Sequence, residues 1–503
     1  MLHALSSLRT LGVLSVLLAL VACGGSTSTD DGVLGTFGVI ALEGEPLPGP
    51  TVGSVGALPT GGVGGDPIMA MAGGGWSVAV VPTTNGATPF VVLVLAPGGT
   101  QVEVLRAGQA LPGLVDGTIA SVLRVWITAS GRVTALVTIT GNTAGKSFGV
   151  VSVPVSGGVA GTVERVIYDL DSLAPASLAG TLVDLDDGSI TVDDASRVWF
   201  IGLTNFGDLV LFSAPTNGSA LVAHARPGDA LPGGVTVLDL VTFGVSPLGT
   251  RFAFVATASD GDDRLVTGAP GVVAFDRIAG EGDALTGGGN LAVVWSDGPL
   301  IVYGANTVVW RGTGSLSAND HVIQVGSPVA RQILARRGTT AGLTGGGTYG
   351  NIRLVQQSSE QVFPYFSCDV VGASNGITFA IYGITSTAQP PDLALYNGRG
   401  LVNPDSTAMG ATFPSLDRPP LITSARNATL GVANVISDGR SGVFWLLPTE
   451  GLATVAVSGD PTPAGETWAP FSPTAFVTMS TDGIQWLGRL AASGRDGLFR
   501  RVR

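Results

Sequence analysis

Few residues in this chain have the types and spacing that chemistry needs. Beyond position 23 there are two histidines, His224 and His321, far apart and each within a strand-like run. A zinc site needs about three converging nitrogen, sulfur or oxygen ligands, and no such cluster is spaced along the sequence. The segment Gly372-Ala373-Ser374-Asn375-Gly376 matches the Gly-x-Ser-x-Gly pattern, which exposes a nucleophile only on a sharp strand-to-helix turn. Here it lies between apolar runs at 365–371 and 377–381 and reads as a hairpin turn. Asp184-Leu185-Asp186-Asp187-Gly188-Ser189 has the acidity of a calcium loop. Counted from Asp184, however, glycine falls at the fifth place and Ala195 at the twelfth, where an EF-hand needs glycine sixth and glutamate twelfth. That segment and Asp260-Gly261-Asp262-Asp263 read as solvated acidic turns. Cys368, among Phe363, Tyr365 and Phe366, reads as a small buried hydrophobe. The eight tryptophans, spread along the chain, read as core packing. No cofactor motif, metal ligand set or catalytic residue is assigned. Paired carboxylates for glycoside chemistry remain an alternative that sequence spacing does not test.

Composition narrows the classes. Of 503 residues, 45% are hydrophobic and only 12% charged, and 75 are glycine; the charged share is about half, and the glycine share about twice, the usual one. Lys146 is the one lysine. With 37 acids against 25 bases the net charge is −12, and there is no basic run. Nucleic-acid binding, which needs cations to displace counterions from phosphates, is excluded. So is disorder, which needs low hydrophobicity and high charge. The two cysteines, Cys23 and Cys368, offer no disulfide framework.

The glycines are not uniform. One phrase recurs: Glu43-Gly44-Glu45-Pro46-Leu47-Pro48-Gly49, Arg106-Ala107-Gly108-Gln109-Ala110-Leu111-Pro112-Gly113, and Arg226-Pro227-Gly228-Asp229-Ala230-Leu231-Pro232-Gly233. Weaker copies mark Gly282-Asp283 and Gly338-Thr339, and the last clear one is Ser458-Gly459-Asp460-Pro461-Thr462-Pro463-Ala464-Gly465. The gaps between these marks are 64, 120, 54, 56 and 121 residues, so two gaps are double. The missing marks are a decayed copy at Tyr168–Pro175 and a remnant at Asn397-Gly398-Arg399-Gly400. Each unit holds four short runs rich in Val and Ile, separated by Gly, Asn, Asp and Pro, the pattern of strands and turns. In the unit after Gly228, for example, the pattern predicts strands over 235–243, 251–258, 264–267 and 272–278. No segment after residue 31 has a helical period.

The chain ends complement one another. After Gly459 there is room for three strands, and before Gly44 for one, at 37–42. Three plus one completes a unit, which is how a β-propeller closes its ring and hides its sheet edges. The expectation is an all-β propeller of eight four-stranded blades over 34–503, or seven if one weak mark is an insertion.

At each mark the outermost strand of one blade would cross to the innermost strand of the next. Glycine permits positive φ there, and aspartate accepts hydrogen bonds from nearby N–H groups. The phrase therefore reads as a structural staple. The rival is a cation or ligand site from a ring of Asp229, Asp283 and Asp460. That ring is broken by Glu45, Gln109 and Thr339 at the matching places. The Arg-x-Gly-Asp-x-x-Pro-Gly turn resembles a family of exported bacterial repeat proteins carrying tandem Gly-Asp-Pro-Ala-Pro-Gly phrases. The resemblance covers nearly the whole chain after the leader. It implies the repeat and an envelope location, and brings no catalytic residue with it.

The first residues read as an address. Arg9 precedes an apolar run, Leu11 to Ala22, too short for a bilayer span of about 20 residues. Leu20-Val21-Ala22-Cys23 resembles the lipobox of bacterial lipoproteins. That resemblance implies cleavage after residue 22 and acylation of Cys23. Residues 23–33 then read as a tether, since Gly24 to Asp31 is small and polar. Gly24, in place of aspartate, implies the outer membrane by the same resemblance, with either leaflet open.

The functional expectation is a non-catalytic envelope lipoprotein whose propeller binds a protein or polysaccharide partner. The alternatives are a carbohydrate-active enzyme using carboxylates at the channel end, and an outer-membrane assembly factor. One such factor is an eight-bladed lipoprotein propeller, but its repeats carry a tryptophan-docking signature not found here.

Overall fold

The computed structural model describes residues 36–59, 68–185, 189–303, 307–317, 319–342, 344–354, 365–384, 391–398, 400–402, 408–412, 421–424, 428–447, 451–471, 477–480 and 483–502. The leader, Cys23 and the tether at 23–33 lie outside them. Among the described residues there is no α-helix; two single 3-10 turns, Gly73–Gly75 and Ala174–Ala176, interrupt the strands.

The strands form eight sheets in chain order. The first blade is Met69–Ala72, Trp76–Pro82, Phe90–Leu95 and Gln101–Arg106; the second runs from Thr118–Ile127 to Glu164–Tyr168, and the third from Leu182–Leu185 to Val222–Ala225. The fourth runs from Val235–Val245 to Asp276–Gly280, the fifth from Leu291–Val293 to Ala330–Arg336, and the sixth from Thr348–Leu354 to Asp392–Tyr396. The eighth blade is assembled from both ends of the chain. Val477–Ser480, Gly483–Arg489 and Asp496–Val502 supply three strands, and Thr36–Leu42 adds the outermost, with Thr36 opposite Val502 and Leu42 opposite Gly497. This is the eight-bladed ring, closed by its N-terminal strand, that the repeat predicts.

Three details differ from the pattern. The second to fifth sheets each carry a fifth, short strand. The seventh sheet has six strands. Beyond Leu421–Ser424, Ala428–Val435, Ser441–Leu447 and Gly451–Val457, the segment after Gly398 folds back, and Gly400–Val402 pairs parallel to Gly451–Val457. In the fourth blade the outer strand begins at Asp276 rather than at 272. Pro270-Gly271 turns the chain first, with Gly271 at φ +77° and the Val272 N–H donating to the Ala269 carbonyl. Val272 and Val273 are left exposed.

The core lies between blades, because each β-sheet has two apolar faces to cover. Val78, Val92 and Val94 of the first blade pack with Val133, Val137 and Val153 of the second. The closing seam is made the same way, by Ile40, Leu487 and Leu498 against Ala79, Val81 and Leu93. A buried cation reinforces it. Arg500, 4% exposed, donates to the carbonyls of Leu95 (2.9 Å) and Ala96 (2.8 Å) in the first blade and to that of Gly75.

The first strands converge on the axis: Met69–Ala72 lies beside both Thr118–Ile127 and Val477–Ser480. In the second to sixth blades the first strand leaves a crossing turn, so the crossings and the second-to-third turns share one face. The first-to-second and third-to-fourth turns share the opposite face. Thr36 opens a fourth-position strand, so the chain enters the propeller on that opposite face, next to its end at Val502.

Candidate functional site

The crossing turns repeat one hydrogen-bond scheme. The Gly228 N–H donates to the Val237 carbonyl (2.8 Å) and the Val237 N–H returns to the Asp229 carbonyl (2.9 Å). The Asp229 carboxylate accepts the Arg226 N–H (3.0 Å). At Gly282-Asp283 the partners are Leu291 and Gly280, with the carboxylate bond at 2.9 Å. Gln109 serves in place of aspartate beside Gly108, accepting from the Arg106 N–H at 3.0 Å. Gly44, Gly338 and Gly459 keep the backbone pattern with Val55, Tyr349 and Trp468. Thr339 reverses the side-chain bond and donates to the Arg336 carbonyl (2.7 Å), while Asp460 faces Arg440 at 3.6 Å.

The decayed copy keeps the scheme with no glycine. Leu170 takes the glycine's place at φ +59°, and Asp171 accepts the Tyr168 N–H (2.8 Å). Burial works to raise the pKa of Asp283. The bonds from Arg277 and Gly280, with the charges of Arg277 and Arg331, hold it below the ordinary carboxylate value. Asp229, Asp283 and Asp171 are occupied by their own turns, and Asp460 faces Arg440 of another hairpin. Among the described residues no three His, Cys, Asp or Glu groups gather as metal ligands.

The other sequence candidates are dispersed. Ser374 donates to the Gly345 carbonyl (2.8 Å) from an exposed hairpin turn and has no histidine beside it. Cys368 is buried, and burial pushes its thiol up to about 12. Of the acidic turns, Asp260 is bonded to Arg264, and residues 186–188 lie outside the described residues. Asp184 caps its own strand, accepting the Leu185 N–H (2.8 Å).

His224 does meet a serine, with Ser213 Oγ and His224 Nε2 at 2.7 Å. Ser213 is buried, however, and the imidazole stacks on Trp199 with ring centroids 4.6 Å apart. Burial first, and Arg197 second, push its pKa down to about 4. It is a neutral core histidine at pH 7. His321 sits in another blade, likewise shifted down by burial.

The sequence pattern did not show the innermost strands' irregularity. The register slips at Ile119/Ser121 and Val122/Arg124, at Leu182/Asp184, at Val237/Asp239 and Leu240/Thr242, and at Leu291/Val293. A β-bulge inserts a residue and re-aims its neighbours. Leu123, Val183, Leu238 and Val241 are thereby exposed on strands that face the axis. Asp239 repeats the role of Asp184, accepting the Leu240 N–H (2.9 Å).

Where these strands end, away from the crossings, four successive blades enclose a cavity of about 560 Å³. Arg124 and Trp126 come from the second blade and Thr191 from the third. Phe243 comes from the fourth and Trp295 from the fifth. Trp126 and Trp295 are half-buried, unlike the fully buried Trp199, Trp310, Trp445, Trp468 and Trp486; each packs against a core cluster while also lining the cavity. The floor is held by Asp193, which accepts bonds from Trp199 Nε1 (2.8 Å) and the Arg197 N–H (2.9 Å). Arg124 is exposed, and its guanidinium has no ion-pair or hydrogen-bond partner among the described residues. A larger cavity, about 1050 Å³, opens on the crossing side between the fifth and sixth blades. There Arg336 grips Asp320 through two bonds of 2.7 and 2.5 Å, while the exposed Arg337 reaches the Asn319 carbonyl at 3.4 Å.

No family model matches this chain, and no curated protein matches it. Among solved structures it is similar to a puromycin-hydrolyzing peptidase of Mycobacterium tuberculosis (13% identity, 84% of this chain and 57% of that one, TM-score 0.37). It is similar also to oligopeptidase B of Leishmania major (8%, 85% and 54%, TM-score 0.40). A third is the β-propeller domain of the Trilobed protease from Pyrococcus furiosus (6%, 78% and 99%, TM-score 0.39). The chain thus spans little more than half the length of the first two. Its fold is established by its own sheet order and ring closure.

Proposed function

We propose that this protein is a non-catalytic, lipid-tethered envelope protein that binds a partner, protein or polysaccharide, on the face opposite its crossing turns. The observation that carries the reading is the cavity there, built by four blades and supplied with half-buried tryptophans and an arginine that is unpaired among the described residues. Ligand sites are concave, mostly apolar and furnished with a few polar groups. Fold alone does not select a function, so the reading stands on that site.

The tether leads into the same face, where Thr36 pairs with Val502. Twelve residues separate Cys23 from Thr36, a reach of ~40 Å at full extension. Acylation of Cys23 would therefore keep the propeller within that distance of the bilayer, with either face free to approach a partner. The enzymatic alternative has less support. The inner-strand carboxylates Asp184 and Asp239 each cap a bulge in their own strand.

The test is cross-linked retrieval of the protein from its native envelope, with mass spectrometry for protein and hydrolysis for sugar. Stoichiometric protein or sugar that is lost with Cys23→Ala is the expected result. Recovery of neither above that control overturns the reading.

A further inference from the structure

We infer that the cavity of the second to fifth blades is a subsite for an acidic sugar unit, a pyranose bearing a carboxylate. The inference rests on the binding reading above and names its ligand. Three features of the site converge on that chemistry.

The first is aromatic. Trp126, Phe243 and Trp295 line the cavity, and both tryptophans are half-buried. Trp295 is braced by its own turn, since Nε1 donates to the Gly298 carbonyl at 2.8 Å. Braced aromatic side chains offer broad apolar contact at low entropic cost, which suits the C–H face of a sugar ring. The second is charge. Arg124 is the cavity's unpaired cation among the described residues, and a guanidinium fork matches a carboxylate bidentately. The carboxylate at the site, Asp193, is turned inward and satisfied by Trp199 and Arg197, so it leaves Arg124 to the ligand. The third is the remaining polarity. Thr191 and Thr242 supply hydroxyls and each can donate as well as accept, as a polyol requires. At about 560 Å³ the volume lies within the range of small-ligand sites.

The experiment titrates the Cys23→Ala protein with a panel of oligouronates and sialyllactose, and with neutral maltooligosaccharides of matched length, by calorimetry. The expected result is binding of an acidic member and none of the neutral series. Arg124→Gln then weakens that binding by about tenfold or more, and Arg124→Lys by less. Arg124 is exposed, so neither change should disturb folding, which circular dichroism checks. Equal binding of acidic and neutral sugars, or Arg124→Gln without effect, overturns the inference. So does no sugar binding at all. If retrieval from the envelope still yields a protein partner in that case, the binding reading survives. If it yields nothing, both fall.

Discussion

Gly228→Ala isolates what the recurrent glycine contributes. Gly228 sits at φ +89°, where an L side chain costs roughly 1–2 kcal/mol. A Cβ built there meets no atom within 4 Å, so no steric term is added. Alanine recovers about 0.4–1 kcal/mol by restricting the unfolded chain. The net loss should be about 1 kcal/mol, and the same value is expected at Gly108 and Gly282, whose surroundings are equally open. Gly218→Ala is the steric control. It too has positive φ, +68°, but its Cβ would collide with the Arg165 carbonyl; the loss should exceed about 3 kcal/mol, as overpacking adds to backbone strain. Urea titrations followed by tryptophan fluorescence give the differences. A loss at Gly228 as large as at Gly218 would refute the reasoning, since it would require a contact the turn does not contain. No loss at all would refute it from the other side.

Three further outcomes follow from the packing. Arg500→Met should destabilise the closing seam by about 2–4 kcal/mol, because carbonyls bonded to a buried cation lose their partner; hydrogen exchange should rise first in Thr36–Leu42 and Asp496–Val502. His224 binds a proton less readily folded than unfolded, with its folded pKa near 4. Its contribution is complete above the unfolded value of about 6.5 and is lost as pH falls from there toward 4. His224→Phe should flatten that part of the pH–stability profile relative to wild type. In the Cys23→Ala protein, Cys368 should react with a thiol reagent only on unfolding, because burial keeps it protonated; prompt labelling of the folded protein would contradict its placement.

The blade count was legible because a left-handed turn leaves a chemical trace. Glycine at that φ is close to obligatory, and seven of the eight crossings carry it: Gly44, Gly108, Gly228, Gly282, Gly338, Gly398 and Gly459. The trace fails at Leu170, where the same turn is made at φ +59° and only Asp171 survives to mark it. The ring closure was legible by counting strands at the two ends. The bulges were not, since an added residue in a strand of period two looks like an ordinary irregularity. Nor was the parallel strand Gly400–Val402, which is held by register with Gly451–Val457 rather than by its own pattern. Arg500 gave no sign of its burial, because its acceptors are backbone carbonyls some four hundred residues away in sequence. The cavity was hidden for a related reason. Arg124, Thr191, Phe243 and Trp295 meet only because the ring sets the same end of four blades side by side.

Photo-cross-linking tests the binding face most directly. A benzophenone amino acid is placed at Val273 or Val329, exposed on third-to-fourth turns around the cavity's face, and at Val52 or Leu316, exposed on the crossing side. Each full-length variant is irradiated in its native envelope, and adducts are resolved by protease or glycosidase digestion. The structure predicts adducts from positions 273 and 329 that are lost with Cys23→Ala, and none from 52 and 316. Adducts confined to the crossing side, or equal from both faces, would contradict the assignment of the binding face.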